Sequence, residues 1–148
     1  MSALRKLATL RAMSRPDRRM VVEAVAWLAV ARLAVIVVPF RHLAAWLERT
    51  SPLERTSGGA EAVETVRREV RRAVTAAARN VPWNAVCLPQ AMAAKAMLSR
   101  RQCSSTFHLG AGFDPSGKLI AHAWLTSGGE VVIGADGMPE VTPLAQFG

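Results

Sequence analysis

Cysteine is scarce in this chain: Cys87 and Cys103 are the only two among 148 residues. With 51% of the residues apolar, a core can form without a disulfide framework. No C-x-x-C pair occurs and no His/Cys spacing resembles a zinc site. Both thiols are therefore expected to be reduced, in a cytoplasmic protein that calls for no metal and no cofactor. Internal repeats are missing, as are the compositional biases of disordered or fibrous chains. Length points to a single domain over residues 1–148. Acidic residues are also few, with 11 Asp and Glu against 19 Lys and Arg, for a net charge of +8. That excess suits a polyanion or an acidic peptide as partner, and it equally suits a solvated Arg-rich surface. Neither zinc-finger spacing nor an aromatic strand motif of nucleic-acid-binding domains is present, so no nucleic-acid partner is expected.

An uninterrupted apolar span is lacking too. A basic stretch up to Arg19 precedes an apolar run over residues 20–40, the outline of a signal or membrane segment. Glu23 and Arg32 break it, and a charge near a bilayer centre costs about 2.5–3.5 kcal/mol. The run is rich in Ala and poor in Leu, so it has little apolar area to offset that cost. It reads as a buried helix, with peripheral membrane contact left open.

The remaining pattern divides the chain at about residue 80. A short amphipathic helix is expected up to Ala12 through Leu4, Leu7 and Leu10. Ser14-Arg15-Pro16-Asp17 reads as the start of a second helix, which Pro39 stops; its apolar face includes Val22, Ala26, Leu33 and Val37. A third helix over residues 41–48 carries Leu43, Trp46 and Leu47 on one side. Residues 50–59 read as a loop. Val63, Val66, Val70, Val74 and Ala77 then recur at helical spacing, with Arg67, Arg68, Arg71 and Arg72 on other faces. Those arginines form either a solvated side or a docking surface for an acidic peptide. Beyond Pro82, a helix is expected from about Cys87 to Arg100. Residues 106–113 alternate as a strand, with Phe107, Leu109, Ala111 and Phe113 on one side. Asp114-Pro115-Ser116-Gly117 is turn chemistry. Strands over residues 119–126 and 131–134 follow, separated by Ser127-Gly128-Gly129. The expectation is α+β: helices over residues 1–80, then a nucleophile-bearing helix packed on a small antiparallel meander over residues 81–148.

Cys87 stands where the chain enters a helix. Helix N-termini offer unpaired N–H groups and partial positive charge, which favour thiolate over thiol, and thiolate is the nucleophile. Pro89 suits the first turn, where no N–H is needed. Cys103, at a strand entry beside Ser104 and Ser105, reads as structural. Of the three histidines, His42 reads as a surface residue and His108 as solvent-facing. His122 lies mid-strand, sharing its side with Ile120 and Trp124. A histidine base needs the thiol at one ring nitrogen and a carboxylate or amide at the other. Asp136 follows the next strand and can return beside His122, with Gly134 and Gly137 giving the turn freedom. Taken locally, Cys87 also reads as an inert buried thiol, His122 as a core histidine and Asp136 as a turn residue.

Cys-Leu-Pro-Gln-Ala at residues 87–91, Ala-His-Ala-Trp at 121–124 and Val-Ile-Gly-Ala-Asp at 132–136 together resemble the transglutaminase-like superfamily, whose folds are papain-like. More narrowly, with Trp83, Leu109-Gly110 and Thr142-Pro143-Leu144, they resemble the leader peptidases of lasso-peptide biosynthesis. The resemblance covers residues 83–147. It implies a triad in which Cys87 is the nucleophile, His122 the base and Asp136 the residue that orients the imidazole. It also implies a precursor peptide as substrate, whose leader is cut off, and a macrolactam synthetase that then closes the ring. Some members carry a fused leader-recognition domain. The helical reading of residues 1–80 shows no small strand-rich module, which resembles the standalone type that relies on a separate leader-recognition protein. Two other readings stay open: a transglutaminase-like acyltransferase, and a non-catalytic basic peptide-binding module.

Overall fold

The computed structural model describes residues 3–50, 59–136 and 141–148. Among these, five helices pack on a four-stranded antiparallel sheet. The architecture is α+β and consistent with a transglutaminase-like fold. The helices are α1 (Ala3–Ala12), α2 (Arg15–Val37), α3 (Phe40–Arg49), α4 (Gly59–Asn80) and α5 (Cys87–Arg100). The strands are β1 (Thr106–Phe113), β2 (Leu119–Ser127), β3 (Glu130–Ile133) and β4 (Val141–Phe147). Of the loop expected over residues 50–59, residues 51–58 lie outside the described residues.

Local chemistry sets the helix ends. The Ser14 hydroxyl accepts from the Asp17 N–H at 3.3 Å, and Pro16 fills the first turn of α2. At the other end of the helical half, α5 closes in a Schellman motif, with Cys103 N–H to Leu98 O and Gln102 N–H to Ser99 O, both at 3.0 Å. Gln102 takes the left-handed position that glycine usually fills, at φ 57°. This closure turns the chain straight from α5 into β1.

Helix α5 is the centre of the molecule. Every residue from Ala91 to Leu98 is buried. Its four alanines, at 91, 93, 94 and 96, let α2, α4 and the sheet approach closely on different sides. The side chain of Lys95 is fully buried and donates from Nζ to Ser105 O at 2.8 Å, tying α5 to the entry of β1. Against the sheet, Phe107, Ala123 and Leu125 join the same core as Leu28, Leu47, Val70 and Val74. The 14 residues of α5 span about 21 Å, whereas the eight of β1 span about 27 Å. The strand therefore outruns its cover, and Phe113, expected on the buried side, is 68% exposed.

Two features differ from the sequence reading. The face of α2 expected to be buried (Val22, Ala26, Leu33 and Val37) is the exposed one, and Val21, Ala24, Leu28 and Ala31 go into the core. The helix is apolar nearly all round, so periodicity does not choose between its faces. Glu23 and Arg32 do choose. Glu23 forms a two-point ion pair with Arg101, at 2.6 and 3.1 Å, and Arg32 donates to Asn84 O at 3.2 Å. The charges that interrupt the run thus clamp α2 to the two ends of α5. Hydrogen bonding from Arg101 holds the Glu23 carboxyl below its usual range, against the upward pull of burial. The second difference is β4. It pairs with β1, giving the order β3-β2-β1-β4 rather than a three-stranded meander. Pro143 hides this strand in the sequence, and an edge position tolerates it.

The buried ammonium of Lys95 supplies a stability test. Desolvation pushes it down from 10.5 to about 8. Between those values the unfolded chain keeps a proton that the folded chain sheds, so stability rises with pH across that window. Thermal melts should show the transition temperature climbing from pH 8 toward 10.5, and Lys95→Met should abolish the climb.

Candidate active site

Cys87 is the first residue of α5 and is half-buried. The preceding Val86 is extended, at φ −70° and ψ 178°, and offers no capping side chain. No acidic residue stands in the first turn, and Pro89 has no N–H. Among the described residues no side chain caps the first backbone N–H groups of α5, Cys87 and Leu88 among them, and such groups can receive an anion or an oxyanion. Gln90, one turn in, donates from its side chain to Ala85 O at 2.6 Å and fixes the approach to the helix. Cys103, in contrast, is 1% exposed, in keeping with a structural thiol.

On β2, strand alternation separates two sets of side chains. Ala123 and Leu125 face the core, whereas His122 and Trp124 share the other face with His108 of β1, which pairs directly with Trp124. Trp124 is 4% exposed. It lies between two imidazoles: His108 stacks on it at 5.2 Å and 6°, His122 at 6.1 Å and 17°. Gly110, the register partner of His122, leaves the room this needs, since a Cβ there would come within 2.9 Å of the Trp124 ring. His108 was expected to face solvent. Its phase is as expected, but its face is covered by the indole, and its Nε2 pairs with Thr126 Oγ1 at 2.9 Å. Burial lowers its pKa below the usual imidazole value.

His122 Nε2 lies 2.6 Å from Gly134 O. A carbonyl oxygen only accepts, so this nitrogen carries the proton, and Nδ1 of a neutral ring is left with its lone pair. The bond fixes both tautomer and ring orientation. Gly134 is placed to do this by a backbone that other residues rarely adopt, at φ +91°. A Cβ on it would sit 2.7 Å from Ala123 O and 2.8 Å from Trp124 Cβ. Sequence reading assigned Gly134 only turn freedom; a main-chain acceptor leaves no side-chain signal by which to find it. Asp136 follows two residues later, exposed, and makes no hydrogen bond or ion pair among the described residues. Gly137 lies outside them. His42 is exposed, as expected, and accepts from its neighbour Arg41.

No hydrogen bond joins Cys87 to His122 among the described residues. Cys87 packs against the core that holds Ala123 and Leu125, whereas strand alternation turns the His122 ring to the other face of β2.

The profile of the transglutaminase-like superfamily matches residues 25–146, well over half of the chain and inclusive of Cys87, His122 and Asp136. The chain belongs to the transglutaminase-like superfamily. No curated protein and no solved structure matched it. For a transglutaminase-like domain, the chemistry suggested is that of a cysteine hydrolase-type enzyme, a peptidase or an acyltransferase. The match begins within α2 and runs into β4, so the helices that grip α5 belong to the family unit as much as the sheet does.

Gly134→Ala tests the main-chain hold on His122. Strain at this φ, with the close contact to Ala123 O, is expected to cost about 1–3 kcal/mol, read from denaturant unfolding. The His122 ring resonances should shift in NMR spectra of the same variant. An unchanged ring environment would contradict the contact.

Proposed function

We propose that this protein is a cysteine peptidase that removes the leader from a ribosomally made lasso-peptide precursor. The observation that carries the reading is Cys87 at the start of a helix buried from Ala91 to Leu98, in a chain of the transglutaminase-like superfamily. Three further observations support it. His122 is held by Gly134 O in the tautomer whose free nitrogen can take a thiol proton. The sequence over residues 83–147 resembles the leader peptidases of that pathway. A largely apolar cleft of about 560 Å³ between α1, α2 and α4 reaches Trp83, four residues before the cysteine, and can seat an apolar peptide segment.

In this reading the Cys87 sulfur attacks the carbonyl at the end of the leader. The N–H groups of Cys87 and Leu88 take the oxyanion. His122, which takes the thiol proton once substrate binding brings ring and sulfur together, returns it to the leaving amine, which becomes the new N-terminus of the core peptide. Water then hydrolyses the thioester and releases the leader acid. Asp136 acts as the orienting member of the triad. That role requires the Asp136 carboxylate to share or replace the Gly134 carbonyl at His122 when substrate is bound. The precursor reaches the site with a separate leader-recognition protein, and the freed core passes to a macrolactam synthetase.

Cleavage of precursor in the presence of the recognition protein, followed by mass spectrometry, tests the scheme. Cys87→Ala should abolish cleavage and leave the circular dichroism spectrum unchanged, and His122→Ala should be nearly as severe. Asp136→Ala should be milder, because the orienting member of a triad can cost less than the other two. Retained cleavage by Cys87→Ala would refute the assignment. A product joined to an amine, in place of one that has gained water, would assign the chain to acyl transfer.

A further inference from the structure

The outward face of α2 is more apolar than its inward face, and the exposed set is well defined. At 100° per residue, Val22, Ala26, Leu33, Ile36 and Val37 fall in one stripe about 100° wide and about 22 Å long. Leu33, Ile36 and Val37 are 62%, 68% and 75% exposed. The core residues Val21, Ala24, Leu28 and Ala31 occupy the opposite side. By length and hydropathy this helix is apolar enough to cross a membrane, yet its inner side is committed to α4 and α5, so it is held along the surface of the domain. The two charges bordering the stripe are both turned inward: Glu23 to Arg100 and Arg101, Arg32 to Asn84 O.

Charge returns at the ends. Arg15, Arg18 and Arg19 continue the same stripe at its N-terminal end, and none of them makes an ion pair among the described residues. Arg18, Arg19 and Arg100 surround a shallow hollow of about 410 Å³ that opens onto Val22 and Ala26. Glu23 also lines it, but its carboxylate is held by Arg101 at 2.6 Å and by Arg100 at 3.3 Å. At the C-terminal end, Phe40 is 52% exposed and Arg41 is exposed beside it. An apolar strip continued at its N-terminal end by three arginines and an arginine-lined hollow matches the profile of a lipid surface: acyl chains beneath the strip and headgroup phosphates at the guanidiniums. A protein partner would be served by the strip, but it would not account for this placement of arginines.

We propose that the exposed face of α2 docks the protein, in the plane of the interface, on an anionic lipid bilayer. This is independent of the peptidase reading. The full-length protein is sedimented with vesicles of phosphatidylcholine alone and with vesicles of equal parts phosphatidylcholine and phosphatidylglycerol. Binding is expected to the anionic vesicles and to weaken as salt is raised. The double variant Leu33→Glu/Ile36→Glu, at exposed positions, should lose at least tenfold in apparent affinity. Arg18→Gln and Arg19→Gln should each lose about fivefold with the circular dichroism spectrum unchanged. Failure to sediment with anionic vesicles overturns the proposal, as does vesicle binding that survives both sets of substitutions. A solution dimer that Leu33→Glu/Ile36→Glu dissolves, with no vesicle binding, overturns it too and assigns the face to a second copy of this chain.

Discussion

The fold depends on the burial of one helix. Helix α5 has no solvent-facing side between Ala91 and Leu98, and it is pinned by three polar contacts. Asn84, before its start, is held by Arg32; Arg101, at its end, by Glu23; and Lys95, along its length, is anchored to Ser105. Truncating Glu23 would leave the partly buried Arg101 guanidinium without its carboxylate. This anchoring gives Cys87 a fixed place at the helix start, and the Schellman closure at the other end delivers β1 and β2 against the same core. A catalytic group gains from such support, because small errors of placement are expensive in rate.

The sheet divides its side chains between two faces. One set of side chains on β1 and β2 makes the core, and the other makes a stack of His108, Trp124 and His122 on the far face. Gly110 and Gly134 are the two openings in the backbone that this stack requires. The indole fixes where the His122 ring lies, and the Gly134 carbonyl fixes which nitrogen bears the proton. Both constraints act before any substrate binds.

Much of this was legible in the residues. Pro16 and Ser14 mark the start of α2, Pro82 and Cys87 bracket the entry to α5, and the alternation of Phe107, Leu109 and Ala111 gives β1 its bounds. Three things were not. The sidedness of α2 is set by where Glu23 and Arg32 find partners 78 and 52 residues away, which no local pattern records. Strand β4 carries a proline, and its pairing with β1 is a tertiary fact. The acceptor at His122 is a main-chain oxygen, which leaves no side-chain signal in the sequence. The membership of the superfamily was legible from short pieces, Cys-Leu-Pro-Gln and His-Ala-Trp, because each combines a local geometry with a reactive side chain.

A Cys87 nucleophile supported by His122 should react with reagents from which the buried Cys103 is shielded. This is tested most directly by the rates at which iodoacetamide alkylates the two thiols of the native protein near neutral pH, resolved by peptide mass spectrometry. Cys87 should be modified well before Cys103, and His122→Ala should slow Cys87 alone. Equal rates at the two cysteines, or a Cys87 rate indifferent to His122, would contradict it.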